Sequence, residues 1–423
     1  MENIRKTAVD ILCDIEKNSA YSNITLNKYL GSNEISNADR RLVYALVYGV
    51  LDRKLTLDYI ISKFVKNIDK IKPISLNALR IGIYQIKFMD NIPESAAVNE
   101  SVKVVKKSAE SYNSAFVNAV LRNYLRKGCR IPEDDSLYSM SVRLSCPEKL
   151  LNIFISDYGK EIAEDLLSSF LEAPPVYLRV NNLKISDENL IGELEKSGIK
   201  AEIVFEHCLK IISGEIDFKN NLLFKKGYFH AQDIASQKSI EKFSVKENDR
   251  ILDMCSAPGG KAFTMAENIS DKGSIVACDI YDKRADLIKK GAEKLGIKCI
   301  ETKVFDAMIF NPEFGKFDKV LCDVPCSGLG VIRRKPEIKY KETLYDSDLE
   351  QTQFAILENA DKYLKAGGSL MYSTCTVKKS ENEDIIKTFL DKYPIYELQY
   401  YHTYLPHKDG TDGFFCALMK KSR

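Results

Sequence analysis

Two cysteines and a set of acids carry the chemistry open to this sequence. Cys326 stands in Asp323-Val-Pro-Cys-Ser-Gly328 and Cys375 in Ser373-Thr-Cys-Thr376. Each lies just past an apolar run that reads as a strand, Lys319–Asp323 and Ser369–Ser373. The two are 49 residues apart, yet they project from one sheet edge if those strands are neighbours. A free cysteine on its own is more often a small buried apolar residue. A cysteine at a loop or helix start can have its pKa lowered, and the thiolate is the nucleophile. Acids end strands as well: Asp253, then Asp279 26 residues later, Asp306 and Asp323. One such aspartate is usually a helix N-cap. Four around a single glycine turn point instead to a nucleoside-bearing ligand, with an acid placed to accept hydrogen bonds from ribose hydroxyls.

That turn lies in Ile251-Leu-Asp-Met-Cys-Ser-Ala-Pro-Gly-Gly-Lys261. An apolar run makes a short buried strand, Pro258, Gly259 and Gly260 force a turn, and Lys261–Ile269 has helical spacing. Glycines permit close backbone approach, and the free N–H groups of the first helical turn face a ligand. The spacing is neither that of a P-loop nor that of the dinucleotide G-x-G-x-x-G. A thiolate, an acid and a nucleoside cofactor together suit methylation of a pyrimidine. C5 is a poor nucleophile until a thiol adds at C6, and an acid beside N3 and the exocyclic amine stabilises the adduct. C5 then takes a methyl from a sulfonium donor, and loss of the C5 proton expels the thiol. The target base must leave its stack or come from a single strand.

Behind these residues the chain changes character in order. Residues 3–127 read as five or six helices, with Ile4–Ile15, Ala38–Leu51, Leu55–Phe64, Ser75–Phe88, Glu94–Lys107 and Asn113–Arg126 on helical spacing and Ser36 or Asn37 as an N-cap. Basic residues recur on their polar faces, among them Arg40, Arg41, Arg122, Arg126 and Lys127. Residues 128–145 suit a linker. Helix continues from Pro147 to Leu171, followed by a small strand–helix–strand unit (Val176–Val180, Asp187–Ser197, Lys200–Phe205) that fits an RNA-recognition-like module or a plain spacer. From Asp249 strands and helices alternate, with strands at Arg250–Met254, Ser274–Asp279, Cys299–Phe305, Lys319–Asp323, Ser369–Ser373 and Phe414–Met419. Such alternation predicts a mostly parallel, doubly wound sheet whose ligands sit at the carboxyl ends of the strands. The expected division is 1–130, 131–235 and 236–423.

At 423 residues, with 45% hydrophobic and 29% charged content, the chain is long enough for two or three globular domains. No window has the 18 uncharged apolar residues of a membrane span, and the N-terminus carries acids, unlike a secretory signal. Eleven cysteines without a CxxC pair argue against a zinc or disulfide framework. His207, His230, His402 and His407 are dispersed, so no metal is expected. These features predict a cytoplasmic protein, and nothing demands more than a monomer. Residues 1–130 hold 21 Lys/Arg against 13 Asp/Glu, leaving +8 there and −6 in the remainder of a chain whose net charge is +2. A basic third suits either a polyanion-binding module or a Lys-rich solvated surface.

DMCSAPGGK, DVPCSG, STCT with its following acids, and the late GTDGFF resemble the S-adenosyl-L-methionine-dependent RNA cytosine-C5 methyltransferases of the Nol/Nop/Sun superfamily. ADRRLVYALVYGVL and AFVNAVLRNYL look like a NusB-type RNA-binding domain. That pairing is similar to the bacterial 16S rRNA branch of the superfamily, which acts on cytosine 967. The resemblance implies a multidomain fold: an all-α NusB-like bundle, the small α/β module, and a C-terminal Rossmann-like class I methyltransferase domain. It implies Cys375 as the C6 nucleophile, Cys326 assisting proton removal and release, and Asp323 contacting the cytosine and lying near the donor. The turn Cys255, Ser256, Ala257, Pro258, Gly259, Gly260 and Lys261 would hold the methionine part of S-adenosyl-L-methionine, Asp279 the ribose and Asp306 the adenine surroundings. Arg284 would reach the cofactor, orient one of these acids or, as the commoner case, be a solvated helix arginine. Arg333, Arg334 and Lys335 would contact RNA phosphates or form a solvated run, and Gln232-Asp233 would make local hydrogen bonds. The implied partner is 16S rRNA or a small-subunit assembly intermediate. A tRNA cytosine-C5 methyltransferase and a non-catalytic assembly or antitermination factor remain the alternatives.

Overall fold

Apolar residues at three- and four-residue spacing roll the first part of the chain into helices that bury one stripe each. In the computed structural model, which describes residues 4–31, 35–345 and 348–422, these are α1 (Ile4–Asn18), α2 (Ser22–Leu30), α3 (Asn37–Asp52), α4 (Lys54–Ser62), α5 (Pro73–Phe88), α6 (Glu94–Lys106), α7 (Ser114–Lys127), α8 (Leu137–Leu144), α9 (Glu148–Tyr158) and α10 (Lys160–Ser169). Ser36 caps α3 by accepting the Asp39 N–H, and Pro73 opens α5 where no backbone donor is needed. Gly49 lets α3 touch α5, since a Cβ there would lie 1.9 Å from the Tyr84 ring. Arg80, 4% exposed, holds Asp58 through two nitrogens at 2.6 and 2.9 Å and Glu16 at 2.7 Å. A guanidinium so deeply buried is tolerable only when paired in this way.

Two elements here escape the sequence pattern. α2 is short and mixes polar with apolar residues, and α8 fills the expected linker. α8 is drawn in because the Thr56 hydroxyl donates to the Val142 carbonyl at 2.6 Å and the Leu55 N–H to Ser145 Oγ at 3.0 Å. The chain forms two compact units, 1–173 with 332–342, and 174–331 with 343–423. Residues 131–173 fall to the helical unit, the α/β module to the other, and a distant piece, Ile332–Glu342, returns to the helices. That piece is well anchored. Glu337 accepts the Ser22 N–H at the start of α2 (2.9 Å), Lys339 donates to the Asp52 carbonyl (2.8 Å), and the Tyr340 hydroxyl donates to that of Leu51 (3.0 Å).

The second unit begins with β1 (Tyr177–Val180), α11 (Asp187–Lys196), β2 (Lys200–Phe205), β3 (Cys208–Ser213), α12 (Leu222–Lys225) and β4 (Phe229–Ala231), whose strands pair antiparallel in the order β2-β3-β1-β4. It continues with α13 (Ile234–Phe243), β5 (Arg250–Asp253), α14 (Gly260–Asn268), β6 (Ser274–Asp279), α15 (Asp282–Leu295), β7 (Ile300–Val304), β8 (Phe317–Asp323), α16 (Asp348–Asp361), β9 (Leu364–Thr374), α17 (Glu383–Lys392), β10 (Tyr396–Tyr404), α18 (Pro406–Asp409) and β11 (Phe414–Lys421). The sheet order is β10-β11-β9-β8-β5-β6-β7, parallel from β9 to β7 and antiparallel at β10 and β11. Winding reverses between β5 and β8, the place where open α/β sheets bind ligands. β10 went unforeseen because its tyrosine-rich run, YELQYYHTY, lies half exposed on the sheet edge. Among the described residues no helix is long and apolar enough to cross a membrane.

Candidate active site

The parallel ladder sets the acids in spatial order. Asp323 ends β8, Asp253 ends the adjacent β5, Asp279 ends β6, and Asp306 follows β7. β8 and β9 are neighbours, with Asp323 opposite Ser373. The condition for Cys326 and Cys375 to share an edge is therefore met.

The loop after β5 is folded by its own backbone. Ser256 N–H reaches back to the Cys278 carbonyl on β6 (2.7 Å), and Gly259 N–H closes the turn on Ser256 (2.7 Å). Gly259 has φ +108°, and a Cβ there would strike the Phe263 ring at 2.3 Å. Only glycine fits both conditions. Lys261 does not point away freely: its Nζ sits 2.7 Å from Asp323 Oδ2, while Ser373 Oγ donates to Asp323 Oδ1 at 2.7 Å. Asp253 is 1% exposed and neither carboxylate oxygen has a hydrogen-bond partner among the described residues. Burial, and then Asp323, push its carboxyl up to about 7. Burial likewise raises the Cys255 thiol well above its usual range, so that thiol stays protonated.

Asp279, 3% exposed, accepts the Tyr281 N–H at 3.1 Å. Its other oxygen is 3.2 Å from Arg284 Nη1, and Arg284 Nη2 donates to the Ala257 carbonyl at 3.0 Å. Arg284 is exposed on its helix, half accessible at the side chain, and bonds both the acid on β6 and the loop after β5. Asp306 accepts the Met308 N–H at 2.9 Å.

The sulfurs of Cys326 and Cys375 lie 3.1 Å apart. The hydrogen bond to Cys375, then burial, raises the Cys326 thiol well above its ordinary pKa. The lowered pKa expected of a loop cysteine does not hold for Cys326. Residues given no role in the sequence reading lock the loops around the pair. Ser327 Oγ lies 2.8 Å from Thr376 Oγ1, the buried Glu381 accepts the Ser327 N–H at 2.9 Å, and Gly330 N–H donates to the Cys375 carbonyl at 3.0 Å. A Cβ on Gly330 would sit 1.9 Å from the Gly413 carbonyl oxygen, which explains why the late GTDGFF turn belongs with the two thiol motifs. The acids after STCT were the available signal for Glu381. Arg333 is 7% exposed within the returning segment 332–342, so it is not part of a solvated run.

The small module grips this machinery from behind. Arg179 on β1 holds Glu267 at 3.0 Å and Asn268 at 2.6 Å, at the end of α14. Asn181 donates to the Leu295 carbonyl ending α15 at 2.8 Å. On β4, His230 stands edge-on to Phe263 with Nδ1 3.6 Å from Glu267, and Gln232 accepts the Thr264 hydroxyl at 2.7 Å. Gln232 therefore bonds across to α14, beyond the local bonding expected of it, while Asp233 caps α13. Burial lowers the His230 pKa to about 3 and raises that of Glu267 to about 7, so the imidazole is neutral and Arg179 is the cation of the cluster. Among the described residues no three His, Cys, Asp or Glu side chains group as a metal site.

Residues 241–420 match the family described as 16S rRNA methyltransferase RsmB/F, residues 2–126 the NusB family, and residues 146–214 the ferredoxin-like domain of RsmF/B-like methyltransferases. The protein named probable ribosomal RNA small subunit methyltransferase B of Bacillus subtilis is 34% identical over 99% of this chain and 99% of its own. Its namesake in Synechocystis is 30% identical over 100% of both chains. The solved protein PH0851 overlays 100% of this chain and 99% of its own at TM-score 0.83 and 25% identity. NSun6 from Pyrococcus horikoshii, solved with SFG, covers 66% of this chain and 98% of its own at TM-score 0.60 and 26% identity. Likeness over the full length, on a methyltransferase sheet preceded by a NusB-type bundle, means that the chain belongs to the RsmB/F family of 16S rRNA methyltransferases.

Proposed function

We propose that the enzyme methylates C5 of one cytosine in 16S rRNA, cytosine 967 by its family likeness, with S-adenosyl-L-methionine as donor. The observation that carries this reading is the pair of sulfurs 3.1 Å apart at the strand end that also holds Asp323. The names of the full-length relatives support a small-subunit rRNA substrate.

The residues present fit the donor. Asp253, Asp279 and Asp323 gather negative charge at adjacent strand ends, and Asp253 keeps two buried oxygens without a partner. A cationic group of the donor would balance Asp253, since Asp323 already holds Lys261 and Asp279 holds Arg284. Ile280, Tyr281, Met308 and Ile309, all exposed past β6 and β7, offer apolar faces to a flat base. The turn Cys255–Lys261 would hold the methionine part, Asp279 the ribose, and Asp306 the adenine side. When bound, the donor supplies an electrophilic methyl group.

Cys375 adds through sulfur to C6 of the cytosine, and the C5–C6 π pair shifts to C5. The family likeness makes Cys375 the attacking sulfur, with Cys326 3.1 Å away and either thiol able to donate to the other. Asp323, braced by Lys261 and Ser373, meets the N3 and amine edge and stabilises the adduct. Cys326 assists removal of the C5 proton, and the returning electrons expel Cys375. The reaction belongs in the cytoplasm, on 16S rRNA or a small-subunit assembly intermediate.

The test is bisulfite mapping of 16S rRNA and tRNA that both lack C5 methylation, after incubation with enzyme and donor. One new protected cytosine in 16S rRNA is expected. Protection in tRNA alone would keep the chemistry and overturn the substrate. Protection in neither, with no donor binding in calorimetry, would leave an RNA-binding factor.

A further inference from the structure

α7 buries Val117, Val120, Leu121 and Tyr124 against the helical unit. Its opposite side is built unlike an ordinary solvated face. Tyr112, in the turn that leads into the helix, is 69% exposed, and Phe116, one helical turn on, is 38% exposed. Ala115 and Ala119 are exposed on the same helix. Further along the helix, roughly 80–120° round the axis from Phe116, stand Arg122 and Arg126, both exposed. Each is braced by an asparagine of its own helix. Arg122 Nε donates to Asn118 at 3.0 Å and Arg126 Nη2 to Asn123 at 2.9 Å. Asn118 and Asn123 are neutral, so the bracing fixes both guanidinium groups without cancelling their charge. Lys106 and Lys107, exposed at the end of α6, add positive charge ahead of Tyr112.

Two solvent-facing aromatic rings followed by two uncompensated guanidinium groups match one kind of occupant. Aromatic faces stack on unpaired bases of any identity, and cations track the phosphates between them. A duplex hides its base faces and is recognised by groove shape instead. An apolar protein partner would gain nothing from the arginines. From Tyr112 to Arg126 the face runs about 21 Å at the helical rise, enough for a short extended strand. We propose that this face of α7 is a docking platform for a single-stranded segment of the RNA substrate, with Tyr112 and Phe116 stacking on bases and Arg122 and Arg126 on phosphates. This rests on the reading of the chain as an RNA methyltransferase.

All four side chains are exposed, so their replacement leaves the core intact. Binding of the full-length enzyme to a labelled single-stranded oligoribonucleotide, and to a duplex of the same sequence, is measured by anisotropy across a salt series. Tyr112→Ala with Phe116→Ala should weaken single-strand binding about tenfold or more, with the salt slope unchanged. Arg122→Gln with Arg126→Gln should lower that slope by roughly 0.7 per arginine. Wild-type binding to the duplex should be weaker than to the single strand. A wild type that methylates 16S rRNA while both variants bind single strands as it does would overturn the platform alone, as would a wild-type preference for duplex. A wild type that neither binds RNA nor methylates it would overturn the RNA methyltransferase reading beneath it.

Discussion

The carboxylate of Glu381 accepts the backbone N–H of Ser327 at 2.9 Å, joining the segment that follows Cys375 to the residue after Cys326. The same oxygen takes the Gln353 amide at 2.9 Å, and the Tyr372 hydroxyl donates to the Glu381 carbonyl at 2.6 Å. The separation of the two sulfurs is thus set by a buried acid that touches neither of them. Glu381→Ala should lower kcat by roughly 10- to 100-fold, the scale of a small misplacement of reacting groups. Donor affinity should stay within about twofold. Methyl incorporation and calorimetry on the same preparation check this, and an unchanged kcat would reject the positioning role.

The two cysteines should fail differently. Cys375→Ala should abolish methylation while donor binding persists, because the donor does not need the thiol. Cys326→Ala should accumulate a covalent enzyme–RNA adduct, seen as a slow, RNase-sensitive band on a denaturing gel. Turnover in the first variant, or no band in the second, would contradict the assigned order.

Asp253 predicts a pH effect with a definite sign. Burial lifts its folded pKa to about 7, well above the ordinary carboxylate range. Without donor it therefore favours the folded state below about pH 4, and that contribution fades as the pH rises towards 7. Asp253→Asn should flatten this part of the stability–pH curve, by an amount on the order of a few kcal/mol. A cationic donor draws the charged form, so wild-type donor affinity should climb between pH 6 and 8 and that of Asp253→Asn should not. Parallel calorimetric titrations at the two pH values decide it.

Arg179 and Glu267 are 4% and 0% exposed at the side chain. Arg179→Met strands a buried carboxylate and should cost about 3–5 kcal/mol in urea unfolding. Arg179→Met with Glu267→Met should recover most of that loss. Equal destabilisation in the single and double variants would remove charge pairing as the cause.

The strands that carry the acids were legible because a buried parallel strand is an apolar run, and a hydrophilic residue at its end marks where it meets the ligand edge. Ile251–Asp253 and Val320–Asp323 both follow that rule. β3 was missed because Glu206 and His207 make a tight turn, with φ +63° at His207, that carries no glycine signal. Glu381 and Arg284 were undervalued for a different reason. Each looks like a surface residue on its own segment, and what it does depends on a partner from a distant part of the chain. The thiol motifs stood out, but the raised pKa of Cys326 comes from a neighbour 49 residues away, which local spacing does not reveal.

The returning segment Ile332–Glu342 bears on how such an enzyme is assembled from parts. Pro336, Glu337, Ile338 and Lys339 are buried there, and burial lowers the pKa of the Lys339 ammonium. A NusB-type domain grafted or deleted at one junction near residue 173 would leave this stretch of chain without its bed and the bundle without its last piece. Two cuts, far apart in the gene, would have to move together. The helical portion is therefore not an interchangeable cartridge, and swapping it between relatives should give soluble protein only when residues 332–342 travel with it.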